Sequence, residues 1–337
     1  MRAFVVTGPG EACVREVPEP VPGPGEVVVD VERVGVCGTD VEFFTGDMAY
    51  LRSGHAAYPM RLGHEWCGTV GAVGDGVDPA WVGRRTTGDT MLGCGRCERC
   101  TTGRHHVCDA RYEIGIRGGF PGALAERMAI PVVALHPLPG TVDDVAGALV
   151  EPGANALRAV LAADVRPGER LLVLGPGTIG LLVALIARAA GVEVHLVGRS
   201  QRSRDFAASL GFTGVCTVDT IPEVPFHGVV DATDAPAMPP LAARLVEPAR
   251  TVVYVGLSTT PSLVDTRDLL LKDVTAVGIL SGSPGLDGTI ERYASGAVDP
   301  RPLVAATVGL EDVADVLAGR RPAGAGPGPK FHVDPRR

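Results

Sequence analysis

RLLVLGPGTIGLLVALIARAAGVEVHLV, residues 170–197, packs an apolar strand, a glycine-punctuated loop, a helix and a second strand into one unit of about 30 residues. A GxGxxG run alone carries little weight. Here it follows a run that reads as a buried strand and opens a helical run, the context a dinucleotide needs. Gly175 permits the tight turn, Gly177 lets the backbone approach a pyrophosphate, and Gly180 allows close helix–strand packing. Thr178 and Ile179 complete the loop and place the phosphate charge at a helix N-terminus. The end of the second strand reads on cofactor choice. An acid there would hold a ribose 2′-hydroxyl, but the chain has Gly198, Arg199, Ser200 and Arg202. Two guanidinium groups and a hydroxyl suit a 2′-phosphate, so NADP is expected over NAD. The plainer alternative is two arginines on a solvated helix start, which the missing acid disfavours.

Strand and helix patterns keep alternating downstream: a helix over 203–210, strands over 215–218, 228–231, 251–256 and 275–280, and a helix over 239–245. Such alternation predicts an α/β fold with a doubly wound parallel sheet covered on both faces. Upstream the chain differs. Residues 1–36 and 115–139 read as short strands between Pro/Gly turns, a small β-barrel domain. Residues 43–59 read as a long loop. Helices are expected from near Val142, capped by Thr141, and over 154–163, 285–294 and 310–318. A last strand, Lys330–Val333, is expected to fold back on the N-terminal part. The division predicted is 1–153 (β-barrel), 154–282 (dinucleotide-binding) and 283–337 (return to the first domain).

At 337 residues there is room for two cores. A net charge of −8 argues against non-specific nucleic-acid binding. No apolar run approaches the roughly 18 residues of a membrane span, and no export signal is visible, which predicts a cytoplasmic protein.

GHEWCGTVGAVGDGV, residues 63–77, sets His64 beside Glu65 in glycine-rich backbone. Imidazole binds zinc, and a neighbouring carboxylate can coordinate or orient the ligand shell. Upstream, Cys37-Gly-Thr39-Asp40 offers a thiolate, a hydroxyl and a carboxylate able to accept the second N–H of a ligating histidine; Asp40 also suits a helix N-cap. Glu151, before Pro152, could be a helix-terminal acid; with Cys37 and His64 present, a third ligand is the preferred reading. Cys94, Cys97, Cys100 and Cys108 have the spacing of a closed four-thiolate zinc site, structural because no position stays open. His105 and His106 within that lobe read as exposed bystanders, and Cys13 as a small buried side chain.

These motifs resemble the zinc-dependent medium-chain alcohol dehydrogenases along essentially the whole chain, in the branch of polyol and sugar dehydrogenases. The resemblance implies a GroES-like β-barrel catalytic domain and a Rossmann domain. It implies a catalytic zinc on Cys37, His64 and Glu151 with Glu65 as exchangeable fourth ligand, and a second zinc on the four cysteines. It also implies a homodimer or homotetramer acting on a small alcohol or sugar. Many members carry a histidine five residues after the first cysteine; this chain has Glu42, so the proton relay ends at Thr39 or includes Glu42. The activity expected is hydride transfer between a secondary alcohol and NADP, with NAD as the weaker partner. Two alternatives are a non-catalytic dinucleotide-binding scaffold and a reductase of an activated imine or alkene.

Overall fold

The computed structural model describes residues 1–337 and contains two principal sheets. In the first, six parallel strands lie in the order Gly214–Cys216, Glu193–Val197, Arg170–Leu174, Phe226–Asp231, Val246–Tyr254, Thr275–Gly278. By chain position this is 3-2-1-4-5-6, the doubly wound order in which ligands bind where the direction reverses, beside the first strand. The strand Arg170–Leu174 shows why its sequence is apolar throughout. Leu171 and Val173 join the core under the helices Val150–Ala163 and Thr178–Ala189, while Leu172 and Leu174 face a second core containing Ala242 and Val252. A strand covered on both faces has no polar side.

The second sheet has seven strands. Glu26–Gly35 pairs with Glu65–Val73 and with Arg127–Pro131, and the C-terminal strand Lys330–Val333 adds itself antiparallel to Glu26–Gly35. Val304–Val308 then pairs parallel with that last strand. Val-rich inward faces of these strands, with Phe4, Phe43 and Trp66, form a separate core. No helix is long and apolar enough to cross a membrane.

Several sequence expectations change. Residues 43–59 are not one loop: the helix Gly38–Thr45 and the turn Ala49–Arg52 occupy its start, because Phe43 and Phe44 bury themselves at 0% and 8% exposure and give the segment an apolar face. The helix expected near Val142 starts at Asp144, capped by Asp143 rather than Thr141, through a bond from the Ala146 amide of 2.8 Å. The helix expected at 154 begins at Val150, since a proline in the first turn has no required N–H to lose. The 310–318 segment splits into a 3-10 turn, Leu310–Asp312, and the helix Val313–Leu317. Cys13 is exposed, not buried, and accepts from Arg15 Nε.

Candidate active site and metal centres

Asp40 is the joint of the site. It lies in the first turn of the helix Gly38–Thr45, fully buried, and is not the N-cap; Cys37 holds that position. Its Oδ2 accepts from the Cys37 amide (2.8 Å) and its Oδ1 from the Gly63 amide (3.3 Å). The same Oδ1 stands 3.6 Å from His64 Nδ1. One carboxylate therefore ties the Cys37 turn to the GHE strand and aims the imidazole. Burial alone would discharge His64, but the Asp40 carboxylate and the Cys37 sulfur outweigh it and raise its pKa well above the usual range. Gly63 sits at φ 98°, and a Cβ there would lie 2.8 Å from the Leu124 amide nitrogen, so only glycine lets the strand begin here.

Cys37, His64 and Glu65 offer donor atoms all within 4.8 Å of one another. Gly35, across the strand pair, makes room for Glu65: a Cβ there would lie 2.2 Å from its Oε2. Glu65 is not free. Lys330 Nζ donates to its Oε1 (2.8 Å) and Oε2 (2.6 Å) and to the Val36 carbonyl, and both side chains are buried. Glu151 lies outside the tight group, in the first turn of Val150–Ala163, its Oε1 accepting from Asn155 Nδ2 at 3.1 Å. Burial pushes its carboxyl up to about 7, and the charges of His64, Glu65 and Lys330 act on it, so it lies within electrostatic reach of the same centre. Thiolate, imidazole and carboxylate are the donor set that suits zinc, and the unpartnered, buried His64 Nδ1 beside Asp40 leaves the other ring nitrogen for a metal. The residues fit that ion.

Thr39 is half-buried in the same helical turn, and Glu42 lies one turn on, on the same face. Burial, then the Asp47 charge, raises the Glu42 carboxyl above its ordinary range.

In the cysteine lobe Cys94, Cys97, Cys100 and Cys108 converge, with Sγ···Sγ distances of 3.9 Å (94–100), 3.5 Å (97–100) and 3.7 Å (97–108). A tetrahedron with Zn–S near 2.3 Å has edges of about 3.8 Å; a disulfide would need about 2.05 Å. The four thiols fit zinc. Amide groups of Arg96 and Cys97 hold the Cys94 thiol down to about 6. His105 and His106 are not bystanders. His105 Nε2 lies 2.6 Å from Oδ2 of Asp89, whose Oδ1 accepts from the Ser283 hydroxyl, and His106 is buried.

At the dinucleotide loop Gly175 has φ 94°, and a Cβ on Gly180 would lie 1.9 Å from the Gly175 carbonyl oxygen. Gly177 caps the helix Thr178–Ala189, with Ile179 behind Thr178, and a Cβ on Gly177 would meet open space. That cradle fits a pyrophosphate. Gly198 is buried against Pro176, while Arg199 and Arg202 are exposed. The Ser200 hydroxyl is partly committed as N-cap, accepting from the Ser203 amide at 3.2 Å. Two nearby cations went unread in the sequence. Arg204 folds back to donate to the Gly198 and Arg199 carbonyls, 2.9 Å each, and Arg321 is lowered by burial and then by the Arg202 charge. Lys330 was missed too; its only signal was being one of two lysines in the chain.

Comparison with known proteins agrees with this architecture. The family model for the alcohol dehydrogenase GroES-like domain matches residues 23–140, and that for zinc-binding dehydrogenase matches residues 178–295. A 2-dehydro-3-deoxy-L-galactonate 5-dehydrogenase of Pseudoalteromonas atlantica is 31% identical over 88% of each chain. An L-galactonate-5-dehydrogenase of Escherichia coli is 30% identical over 84% of each. Among solved structures, a Sinorhizobium meliloti protein described as a zinc-binding dehydrogenase bound to NADP superposes with a TM-score of 0.89 at 28% identity, covering 99% of both chains. The chain belongs to the zinc-dependent medium-chain alcohol dehydrogenases, on their polyol- and sugar-dehydrogenase-like branch.

Proposed function

We propose that this dehydrogenase oxidises a secondary hydroxyl of a polyol, sugar or sugar acid, with NADP as the preferred hydride acceptor and NAD the weaker one. The observation that carries the reading is the Asp40 carboxylate, bonded to both ligand segments and facing His64. Cys37, His64 and Glu151 hold the catalytic metal in this reading, and Glu65, anchored by Lys330, is the reserve ligand. Cys94, Cys97, Cys100 and Cys108 hold the structural one. When bound, zinc would supply Lewis acidity toward the alcohol oxygen and the nicotinamide a hydride acceptor. The chain's own residues do the rest. Asp40 fixes the His64 ring, Thr39 accepts the hydroxyl proton, and Glu42, its carboxyl raised by burial, passes it toward solvent.

Gly175, Gly177, Thr178, Ile179 and Gly180 cradle the pyrophosphate, and Gly198 leaves room beside the adenosine ribose. Arg199, Ser200 and Arg202 take the 2′-phosphate, with Arg321 supplying further positive potential from the C-terminal segment. The catalytic domain spans 1–153 and 283–337 and the dinucleotide domain 154–282; the terminal strand's pairing with Glu26–Gly35 supports the return. A homodimer or homotetramer fits the exposed edge strand Thr275–Gly278 with Leu270, Leu271 and Leu280 exposed around it. A cytoplasmic location and the absence of nucleic-acid partners complete the reading. The scaffold alternative has no observation in its favour, since the four lobe cysteines converge and Cys37, His64 and Glu65 converge.

The test is a panel of polyols, aldonates and simple secondary alcohols assayed with NADP and with NAD. Turnover of at least one polyhydroxy substrate, faster with NADP, is expected. Turnover of none, or of imines and activated alkenes only, refutes the proposal.

A further inference from the structure

Arg61 stands outside everything assigned so far. Residues 60–62 run extended: Met60 exchanges both backbone bonds with Val6, the Arg61 carbonyl accepts from Gly122, and the Leu62 carbonyl accepts from Leu124. Alternation then sends Leu62 into the core, at 0% exposure, and Arg61 to the opposite side. There it lines a cleft of about 250 Å³ between the N-terminal hairpin and the 119–121 loop. Ala3, Val5, Val17 and Pro18 form one wall, Phe120 and Pro121 the other, and Arg61 is the only charged residue among the lining side chains. Its Nε is sealed from solvent without an acceptor, and its guanidinium has no carboxylate partner. Burial with nothing to offset it pushes the Arg61 pKa down to about 10. A cation held in an apolar cleft is costly unless an anion joins it.

We infer that this cleft is a second ligand site, distinct from the catalytic centre, for a small monocarboxylate with a flat apolar body. A single guanidinium offers a planar fork that matches one carboxylate. The lining holds no second cation, so a dianion such as phosphate would bring charge that nothing there balances. Aromatic and proline walls favour a ring or short chain over a hydroxylated sugar, which separates this ligand from the substrate proposed above. The cleft is smaller than the roughly 300–1,000 Å³ of a drug-sized site, which limits the ligand to a small molecule.

Phenylacetate and its neutral isostere phenylacetamide, titrated calorimetrically into the full-length, zinc-loaded protein, test this directly. Saturable phenylacetate binding is expected, about tenfold or more tighter than the amide. Arg61→Gln should erase that difference. Val17→Trp, which narrows the cleft with the guanidinium intact, should weaken both ligands and decides the matter if Arg61→Gln fails to fold. Absence of binding, equal binding of acid and amide, an acid preference that survives Arg61→Gln, or phenylacetate affinity unchanged in Val17→Trp overturns the inference; the last two outcomes would put the carboxylate at the catalytic metal instead.

Discussion

Asp40 touches three partners that belong to two separate stretches of sequence, the Cys37 and Gly63 amides and the His64 ring. Its loss should therefore be felt by the metal before the fold. Asp40→Ala is expected to weaken zinc binding at the catalytic centre by about 10–100-fold, the usual cost of removing a histidine's outer partner, while the cysteine lobe keeps its ion. Zinc counted after dialysis against a graded chelator series checks this; equal retention at both centres would contradict it. The candidate zinc donors Cys37 and His64 were legible because few side chains bind zinc and their neighbours were distinctive: a cysteine in CGTD, a histidine in GHE. Lys330 was not. It reaches Glu65 across 265 positions of sequence, and nothing local distinguishes a lysine that will be buried from one that will be solvated.

At the level of elements, the terminal strand Lys330–Val333 brings two basic side chains into the interior. Lys330 is paired, whereas His332 is fully buried with neither ring nitrogen bonded. Burial, then the Lys330 and Arg33 charges, holds its pKa well below the usual 6.5. The folded chain therefore binds fewer protons here than the unfolded chain once pH drops below about 6.5, and stability declines as pH falls through that window. His332→Leu should remove this contribution. Its unfolding free energy relative to the wild type should rise by about 1 kcal/mol as the pH falls from about 6.5 to 5.5, since the unfolded histidine is already half protonated at the start of that window; denaturant titrations at several pH values read it, and parallel curves would refute it. The cysteine lobe offers a second test. Cys97 lies within 3.5 and 3.7 Å of two other sulfurs, so Cys97→Ser should release one zinc per chain and expose the lobe to proteolysis with the sheets intact. Retention of both ions would count against a four-thiolate site. The glycine loop and the parallel strands could be read ahead because each pattern is local. The helix Gly38–Thr45 could be read only at its start, where the strand pattern ends at Cys37-Gly-Thr-Asp40; its extension through Phe43 and Phe44 could not, because they are helical only where the core of the seven-stranded sheet receives them and by themselves read as loop anchors.

On the scale of the whole molecule, catalysis depends on two sheets meeting. The doubly wound sheet presents its glycine loop where strand order reverses, and the seven-stranded sheet presents the Cys37–His64 centre. The chain crosses back at its end to lock Glu65 with Lys330. The sequence motifs implied both halves, because each motif is confined to one segment. How the return segment completes the centre depends on long-range strand pairing, which no local pattern encodes. Arg321, close enough for the Arg202 charge to act on it, is another product of that return. The most direct measurement of the account pairs zinc stoichiometry with NADP-linked turnover in the wild type and in Cys37→Ala. The prediction is one zinc fewer per chain and turnover lost in the variant, with NADPH binding by fluorescence retained. A variant that keeps its turnover would contradict a zinc-centred dehydrogenase outright.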